Sequence, residues 1–471
     1  MKFMSGFAAI AAATLSFSST LAQQIVVDGA VADWPVGQMV TADNEFLYVQ
    51  LRFDEPLSLS QPGFDLTLAI DGDLNDRTGS TDTADRGAEL TIGFGVVEDR
   101  GGWTGPGLVT TVHDADGTAR RVPAFEFGVH AAPTHASDIF ELRIRRDNPA
   151  LKINDNGPIE VTLRSSESGA PVASKTTINL GSRARTIARD ESVPAKLEGA
   201  IRVLSWNVLW GGQLEDPAAH ARVIKAINPD VILFQEWDRG ESTRDDIAEW
   251  LNTNAPSPHN NSAPWMAQAG PAWGVAVATP WNVSLLGPDG ITADNTAWDF
   301  PVRLASAAID TPAGTVVFGS IHYKCCGAIN TREDARRLGE AAAVRESLRQ
   351  LAQSAGTTNV VLGGDFNLNG LNQVLFESVT GLDTDGTPLA IAQPAVLNDS
   401  ALYTFGRPGQ DSLRPRLDFI TYPDASFTAV NAFVLESSRL STRALREAGL
   451  QTNDSHASDH LPVVVDLMPK N

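Results

Sequence analysis

In the second half of the chain, short apolar runs repeatedly end in an acidic, amide or imidazole side chain. The clearest case is Gly363-Gly-Asp365-Phe-Asn367, which follows the apolar run 360–362. Side chains alternate between the two faces of a strand, so Asp365 and Asn367 point to the same face and can converge on one ligand. Other runs end in the same manner at Asn207, Glu236 and His322. Because strands here alternate with helical stretches, the pattern predicts a layered α/β or α+β fold with its chemistry at the strand ends.

Two segments near the end of the chain add to this set of polar groups. Asp418 lies inside Arg416-Leu-Asp-Phe-Ile-Thr, and Asp459 and His460 precede the apolar run 463–465. The set contains carboxylates, amides and two histidines, but no reactive cysteine and no serine in a nucleophile elbow. Oxygen-rich groups of this kind suit a hard divalent cation and a phosphoryl group.

The first residues have the pattern of a secretory signal peptide. A small and apolar stretch from residue 7 to 21 follows Met1-Lys2, and small residues occupy the cleavage positions that end at Ala22. A membrane anchor needs about 20 apolar residues, and residues 16–20 interrupt this run too early. We therefore expect the segment 1–22 to be removed and the mature protein to be secreted or periplasmic, with no transmembrane segment.

At 471 residues, the chain is long enough for two or three domains. Between residues 23 and 180, short apolar runs alternate with turn residues, which predicts an antiparallel β-sandwich. The runs are 45–53, 64–70, 88–94, 108–112, 125–129, 140–145 and 159–163. Residues 181–199 are polar without a clear period and are predicted to be a linker.

Residues 200–469 form the second predicted domain. Its helical stretches are 216–227, 242–251 and 331–352. In the last stretch, apolar residues share one face and arginine and glutamate occupy the other. The simplest interpretation of that charged face is a solvated one.

Three short motifs stand out in the first domain. They are Val27-Asp-Gly-Ala-Val-Ala-Asp33-Trp34, Phe46-Leu-Tyr-Val and Gly87-Ala-Glu89-Leu. They resemble the secreted sandwich domains related to family 9 carbohydrate-binding modules. The resemblance implies a domain that binds a glycan or is simply an accessory fold.

An acidic turn in the same domain has two interpretations. Its members Asp71, Asp73, Asn75 and Asp76 could gather their oxygens around a calcium ion. The spacing departs from an EF-hand, because position six is Asp76 and the twelfth residue is Asp82. An Asx-rich turn between two strands explains the same residues. The sequence leaves both interpretations open.

The polar strand ends of the second domain fall into six motifs, in the order Leu204-Ser-Trp-Asn207, Asp230-Val-Ile-Leu-Phe-Gln-Glu236, Ser320-Ile-His322, Gly363-Gly-Asp365-Phe-Asn367, Arg416-Leu-Asp418-Phe-Ile and Ser458-Asp459-His460. This order resembles the endonuclease/exonuclease/phosphatase superfamily, over residues 201–467. The resemblance implies a four-layer α/β sandwich, in which helices flank two packed sheets and the site lies at one end of the sheets.

The same resemblance implies a metal site. Glu236 would be the main ligand of one or two Mg²⁺ or Mn²⁺ ions, which favour carboxylate and water oxygens. Asn207 would hold the metal or orient the catalytic aspartate, and Asp459 would complete the metal binding or support it. The family's second acidic residue in the middle of the domain has no clear counterpart, and Asp294 and Asp299 are candidates for it.

The resemblance also implies the catalytic roles. Asp365 would align and deprotonate the attacking water, and Asn367 would donate a hydrogen bond to the phosphoryl group. His460 would contact a phosphate oxygen, while Asp418 accepts the other ring proton of His460 and fixes its tautomer. His322 would be the general acid that protonates the leaving oxygen.

The only cysteines, Cys325 and Cys326, lie three and four residues beyond His322. In an oxidising compartment they can form a strained vicinal disulfide, and the alternative is a reduced pair packed as small apolar side chains. We favour the disulfide. Either form would be a turn beside the site, not a nucleophile or a metal ligand.

The charge of the chain bears on its substrate. A net charge of −21 argues against tight binding of long polyanions, which depends on lysine and arginine. We therefore expect a secreted, metal-dependent hydrolase of small or lipid phosphomonoesters or phosphodiesters. One alternative is an extracellular nuclease that acts on DNA or RNA. Another is a binding protein with an inert nuclease-like domain. The sequence does not indicate an oligomeric state.

Overall fold

The computed structural model describes residues 25–470 except for 58, 60–65, 95–97, 100–103, 106–107, 123, 134–136, 155, 166–171, 182–191, 240, 258–262, 271–273, 294–299, 327–330, 369–372, 400 and 407–414. The described residues divide into two compact units, 25–181 and 192–470, and each is described by itself. The predicted signal peptide and half of the predicted linker lie outside the described residues. Within the described part of the chain, no helix has the length and apolarity needed to cross a bilayer.

The first unit is built from antiparallel strands. Its described strands are β1 (Val40–Ala42), β2 (Phe46–Leu57), β3 (Leu66–Asp71), β4 (Leu90–Phe94), β5 (Glu98–Asp99), β6 (Thr104–Gly105), β7 (Leu108–His113), β8 (Ala119–Val122), β9 (His130–Ala132), β10 (Ser137–Arg145), β11 (Pro158–Ser165) and β12 (Val172–Asn179). They form one sheet in the order β1-β2-β10-β9 and a second in the order β12-β11-β3-β4-β7-β8, and β5 pairs with β6. The predicted antiparallel sheets are therefore confirmed.

One apolar cluster joins the two larger sheets of this unit. Leu47 and Val49 are alternate residues of β2, and they are buried in the same cluster as Leu68 of β3 and Ile92 of β4. Burial of every second residue on facing sheets is the pattern of a sandwich core. One predicted strand is wrong: residues 125–129 lie in and after the 3₁₀ turn Ala124–Phe127, which ends at Gly128 with φ of 57°.

The second unit contains both strands and helices. Its described strands are β13 (Ile201–Asn207), β14 (Val231–Gln235), β15 (Met266–Ala269), β16 (Ala276–Thr279), β17 (Val283–Leu286), β18 (Leu304–Thr311), β19 (Gly314–His322), β20 (Val360–Asp365), β21 (Ala390–Ile391), β22 (Ala395–Val396), β23 (Asp418–Tyr422), β24 (Phe427–Val434) and β25 (Val463–Pro469). Its described helices are α1 (Gly212–Glu215), α2 (Pro217–Ile227), α3 (Arg244–Asn254), α4 (Arg332–Ser354), α5 (Gln373–Val379) and α6 (Thr442–Ala448).

The strands of this unit form two mixed sheets that pack against each other. Their orders are β15-β16-β14-β13-β25-β24-β22 and β17-β18-β19-β20-β23-β21. Val203 and Leu233 of the first sheet share a buried cluster with Phe318 and Ile420 of the second. The outer face of the first sheet packs on α2, α3 and α6, and that of the second packs on α4 and α5. The layers are thus helices, sheet, sheet and helices, and the predicted mixed α/β fold is confirmed.

The three predicted helices are present as α2, α3 and α4, and their starts are specified locally. Asp216 accepts the backbone N–H of Ala219 at 3.0 Å and Pro217 opens α2, which is the usual chemistry of a helix N-terminus. Thr243 and Asp246 form a reciprocal capping box at the start of α3.

The charged face of α4 is solvated only in part: Arg332 and Arg349 are exposed as predicted, and two other arginines are not. Arg336 and Arg337 are only 1% and 2% exposed. Arg336 pairs with Glu340 at 2.9 Å, and Arg337 donates to the carbonyl oxygens of Lys324 and Cys326 at 2.9 and 2.8 Å. Carbonyl groups left by the loop after β19 need donors, so Arg337 holds that loop instead of facing solvent, while Arg336 donates to the Phe300 carbonyl oxygen at 2.9 Å.

Strand direction brings the polar strand ends together. β14 runs parallel to β13, β20 runs parallel to β19, and β23 and β25 run antiparallel to their neighbours. In the register, His322 pairs with Asp365, and Asp365 pairs with Asp418. The ends of β13, β14, β19 and β20 therefore share an edge with the starts of β23 and β25.

Candidate active site

Asp365, at the end of β20, is the centre of the polar cluster. Its Oδ2 atom is 3.3 Å from Asn207 Nδ2, 3.1 Å from Asn367 Nδ2, 3.5 Å from His322 Nε2 and 3.7 Å from His460 Nε2. Asp365 is 1% exposed, and burial raises its pKa to about 7. A buried carboxylate whose pKa lies near neutrality can accept a proton at physiological pH.

The glycine before Asp365 allows β20 to lie close to β19. Gly364 has φ of 141°, and a Cβ atom at this position would lie 2.0 Å from the carbonyl oxygen of Ile321. Only glycine fits such a contact, as the Gly-Gly pair in the sequence indicated.

Glu236 follows β14 and lies beside Asp365. Its Oε1 atom is 3.5 Å from His322 Nε2, and the residue is 9% exposed. Burial raises the pKa of the Glu236 carboxyl, while a hydrogen bond from Asn207 lowers it. Its backbone has φ of 53°, a conformation that costs a non-glycine residue about 1–3 kcal/mol and is concentrated at functional sites.

The donor set of this cluster fits a hard divalent cation. Glu236, His322 and Asp365 each offer a ligand atom within 4.8 Å of the other two. Asp459 is close enough for its charge to raise the pKa of Glu236, and its buried Oδ1 atom has no hydrogen-bond partner among the described residues. With the amide of Asn207, these oxygens match the ligands of Mg²⁺ or Mn²⁺.

His460 is paired with Asp418 as the sequence predicts. Its Nδ1 atom is 2.8 Å from Asp418 Oδ2, and its backbone carbonyl accepts the indole N–H of Trp206 at 3.1 Å. Burial lowers the pKa of His460, but the charges of Asp418 and Asp365 outweigh burial and raise it to about 10. His460 is therefore an imidazolium at neutral pH, with Nε2–H directed towards Asp365.

Asn367 holds Asp365 in place. Its backbone N–H donates to Asp365 Oδ1 at 2.9 Å, and its Nδ2 donates to Asp365 Oδ2 and to the Tyr323 carbonyl oxygen, both at 3.1 Å. To donate the predicted hydrogen bond to a phosphoryl group, the side-chain amide of Asn367 must give up its hydrogen bond to Asp365 Oδ2 or to the Tyr323 carbonyl oxygen.

Arg303, which precedes β18, is the partner of His322 that the sequence interpretation missed. Its Nη1 atom is 3.1 and 3.4 Å from the two ring nitrogens of His322, and its Nη2 donates to the Tyr323 carbonyl oxygen at 2.7 Å. Burial, followed by the charge of Arg303, lowers the pKa of His322 well below its ordinary value. His322 is therefore neutral here, which does not favour the predicted role of general acid.

Asp294 and Asp299, the two candidates for the family's second acidic residue, both lie in the segment 294–299, outside the described residues. One signal could have revealed Arg303: it stands at the edge of an apolar run, as the predicted site residues do.

Cys325 and Cys326 are free thiols, so the disulfide prediction is wrong for this structure. Their sulfur atoms lie 2.8 Å apart and share a hydrogen bond. Cys326 has φ of 69°, and its carbonyl oxygen is held by Arg337. The hydrogen bond from Cys326 lowers the pKa of the Cys325 thiol to about 5. The predicted turn beside the site is present, but it is held by α4 and not by a sulfur–sulfur bond.

The acidic turn of the first unit assembles differently from the prediction. Its three close carboxylates are those of Asp71, Asp73 and Glu89, whereas Asn75 and Asp76 are exposed and outside the group. Asp73 Oδ1 accepts the backbone N–H of Asn75 at 3.0 Å, as in an Asx turn. The sequence interpretation missed Glu89 because this residue directly precedes β4 and is not part of the turn.

A lysine compensates the charge of these carboxylates. Lys152 Nζ is 3.2 Å from Glu89 Oε1 and 3.9 Å from Asp73 Oδ2. An ammonium group beside these carboxylates offsets part of their charge without an ion, so the contacts favour the turn over the calcium site.

Comparison with known proteins decides the family of the second unit. The model of the endonuclease/exonuclease/phosphatase family matches residues 204–460, which is more than half of the 471 residues. The chain belongs to the endonuclease/exonuclease/phosphatase family. Its members share a fold typical of metal-dependent phosphoesterases, and the six predicted motifs fall within or at the edge of the matched segment.

Several solved structures match between 57% and 59% of this chain. The human Nocturnin catalytic domain, with bound sulfate, is 17% identical, with 59% of this chain and 97% of that chain covered and a TM-score of 0.38. A family protein from Bacteroides thetaiotaomicron is 18% identical, with 57% and 97% covered and a TM-score of 0.39. Sphingomyelinase C from Streptomyces griseocarneus is 15% identical, with 57% and 99% covered and a TM-score of 0.37.

At these identities and TM-scores, the solved structures give no ground for choosing a substrate. Comparison with curated protein sequences gives no match. The resemblance of the first unit to carbohydrate-binding modules stays a prediction.

Proposed function

We propose that this protein is a secreted or periplasmic, divalent-metal-dependent hydrolase of small or lipid phosphate esters. The observation that carries the proposal is the convergence on Asp365 Oδ2 of two amides and two imidazoles, beside the buried carboxylate of Glu236. These groups come from separate strands of a family whose members hydrolyse phosphate esters.

Glu236, with Asn207 and Asp459, would hold Mg²⁺ or Mn²⁺. When bound, such an ion supplies positive charge to the phosphoryl oxygens. Asn207 also orients Asp365, because its Nδ2 atom is 3.3 Å from Asp365 Oδ2. Both roles that the sequence left open for Asn207 are therefore compatible with its position.

Proton transfer from water is assigned to Asp365. Its pKa of about 7 makes the carboxylate a base of useful strength at neutral pH. Asn367 fixes the carboxylate through two hydrogen bonds, one from its backbone and one from its side chain. The fixed carboxylate aligns the water for attack on phosphorus from the side opposite the leaving oxygen.

His460 stabilises the negative charge that develops on the phosphoryl oxygens. As an imidazolium it donates Nε2–H to a non-bridging oxygen, and Asp418 holds the ring through Nδ1 at 2.8 Å. His322 is neutral and offers the leaving oxygen a hydrogen bond instead of a full proton.

The charge distribution supports a small or lipid ester over a long nucleic acid. The net charge of the chain is −21. Arg336 and Arg337 of α4 are buried. These two cations therefore add nothing to a surface that tracks a polyanion. The alternative of an inert binding domain predicts missing site residues, whereas the predicted ones assemble around Asp365.

A substrate panel tests the proposal. The full chain is treated with EDTA and then assayed with Mg²⁺, Mn²⁺ or Ca²⁺ on p-nitrophenyl phosphate, bis-p-nitrophenyl phosphate, sphingomyelin and plasmid DNA. We expect metal-restored hydrolysis of at least one small or lipid ester. Fast plasmid nicking with little turnover of the other esters would favour the nuclease, and no hydrolysis of any substrate would favour the binding protein.

A further inference from the structure

The loop after β13 has an unusual backbone. Leu209, Trp210 and Gly211 have φ values of 55°, 49° and 92°, so three consecutive residues are left-handed. For leucine and tryptophan this conformation is costly. The loop keeps it because both of its ends are bonded to the site: Leu209 N–H donates to Asn207 Oδ1 at 3.0 Å, and Gly211 N–H donates to the Glu236 carbonyl oxygen at 3.1 Å.

Trp210 is thereby fixed between the two site residues Asn207 and Glu236. The centre of its ring is 6.1 Å from that of His322, with the ring planes inclined at 50°. The guanidinium carbon of Arg239 lies 5.8 Å from the Trp210 ring centre, and Arg239 is exposed. Neither Trp210 nor Arg239 has a part in the hydrolysis proposed above.

Core packing does not explain Trp210. Trp206, Trp237 and Trp265 of the same unit are 0–2% exposed and lie in one apolar cluster. Trp210 is only half-buried and is not a member of that cluster. A strained, partly exposed indole beside a phosphoryl site is better explained by a ligand than by the fold.

We propose that Trp210 and Arg239 bind the organic group of the substrate, and that this group is a planar aromatic ring such as a nucleobase. The inference rests on the proposed function and narrows its substrate to small nucleotide-like esters. A base stacked on an aromatic side chain gains about 1–3 kcal/mol. A guanidinium beside the same indole opposes a quaternary ammonium group, because two cations would compete for one ring.

Two esters that share a leaving group test the proposal. Thymidine 5′-p-nitrophenyl phosphate and methyl p-nitrophenyl phosphate both release p-nitrophenolate, and they differ in the retained group. We expect the native enzyme to prefer the thymidine ester in kcat/KM, chiefly through KM. Trp210→Ala should reduce that preference by about 5- to 150-fold, and Trp210→Phe should keep most of it. Equal losses on both esters in Trp210→Ala would overturn the proposal.

A binding measurement separates this inference from the proposed function. Thymidine 5′-phosphate and phosphocholine are titrated into the full chain in the presence of Mg²⁺, by calorimetry. We expect tighter binding of thymidine 5′-phosphate, weakened in Trp210→Ala and in Arg239→Glu, whether or not any ester is hydrolysed. Tighter binding of phosphocholine, or binding of thymidine 5′-phosphate that neither substitution changes, would contradict the aromatic subsite. Hydrolysis of a phosphate ester without this binding selectivity would support the proposed function and contradict the aromatic subsite.

Discussion

Among the residues that the structure describes, each unit contains one group of three side chains that could hold a metal ion. The first cluster is Asp71, Asp73 and Glu89, and the second cluster is Glu236, His322 and Asp365. In both clusters the ligand atoms lie within 4.8 Å of one another, so proximity alone does not distinguish them. The two clusters differ in the groups that compensate the negative charge of the carboxylates. They also differ in the sequence separation between the carboxylates and the residues that contact them.

In the first cluster, a nearby lysine and backbone N–H groups compensate the negative charge of the carboxylates. Lys152 contacts Glu89 and Asp73, and the carboxylates of Glu89 and Asp71 accept the backbone N–H groups of Gly72 and Leu74. These contacts offset part of the negative charge of the carboxylates without a metal ion.

The second cluster is held by residues distant in sequence. Asn207 and His460 reach Asp365 across 158 and 95 positions of the chain, and Glu236 and Asn367 both have left-handed backbones. Burial raises the pKa of Glu236 and Asp365, as it also does for Asp71 and Glu89 of the first cluster. What differs is that the pKa of Asp365 is raised to about 7 and that two amides and two imidazoles surround its Oδ2 atom. The groups that surround the carboxylate, and not the spacing of ligands, therefore identify the active site.

Metal removal should produce the largest difference between the clusters. We expect EDTA to reduce hydrolysis of bis-p-nitrophenyl phosphate by more than about 10³-fold, because the ion supplies several kcal/mol of charge stabilisation in the transition state. Mg²⁺ or Mn²⁺ should restore the activity in the native protein and equally in Asp71→Asn. Full activity in EDTA, or a loss of activity in Asp71→Asn, would contradict the assignment of the metal-dependent activity to the second cluster alone.

Replacing the phosphate-contacting imidazole should have the next largest effect. In His460→Ala we expect kcat to fall by about 10²- to 10³-fold, because a charged hydrogen-bond donor to the phosphoryl oxygens is lost. His456 provides a matched control, since its Nε2 atom contacts Ser438 at 3.2 Å and lies outside the cluster. A comparable loss of kcat in His456→Ala would indicate a general effect of histidine removal on folding.

The partner of His460 should control the alkaline limb of the pH profile. The pKa of His460 is raised to about 10, so the imidazolium and the activity should be lost as pH rises through that value. In Asp418→Asn the pKa falls, and we expect the limb to move towards neutral pH by about one to three pH units. The acid limb, set by Asp365, should rise through a pH of about 7 in the native protein and move to lower pH in Asp418→Asn, because, besides burial, the charge of Asp418 raises the pKa of Asp365. An unmoved alkaline limb would exclude His460 as its source.

The first cluster should respond in stability and not in activity. Glu89 is fully buried and accepts hydrogen bonds from Gly72 and Lys152. We expect Glu89→Gln to lower the free energy of unfolding by about 1–3 kcal/mol, measured by urea denaturation, with kcat unchanged. Lys152→Met should allow Ca²⁺ to raise the melting temperature, which it should not do in the native protein. A Ca²⁺ response in the native protein would restore the calcium interpretation.

Much of the second unit could be predicted, because the period of apolar residues and the polar residues at strand ends are local signals. Asp365, Glu236, His460 and Asp418 were all expected from such positions, and the structure brings them together. The family resemblance added the order of the motifs.

The contacts that were missed are those that no local pattern reports. Arg303 meets His322 only because β18 pairs with β19, and Glu89 meets Asp71 only because β4 pairs with β3. Arg336 and Arg337 looked solvated because helical periodicity does not show which charged groups have buried partners. The position of Trp210 depends on a left-handed backbone that leucine and tryptophan rarely adopt, so it could not be expected from local sequence patterns.

The most direct test of the account compares one substitution in each cluster. Hydrolysis of bis-p-nitrophenyl phosphate is measured with Mg²⁺ and Mn²⁺ for the native protein, Asp365→Asn and Asp73→Asn, after circular dichroism has shown that all three are folded. We predict that Asp73→Asn has the native kcat and that Asp365→Asn falls by about 10²- to 10⁴-fold, since it lacks the base. Native activity in Asp365→Asn would contradict the account, because no other group is assigned to activate the water.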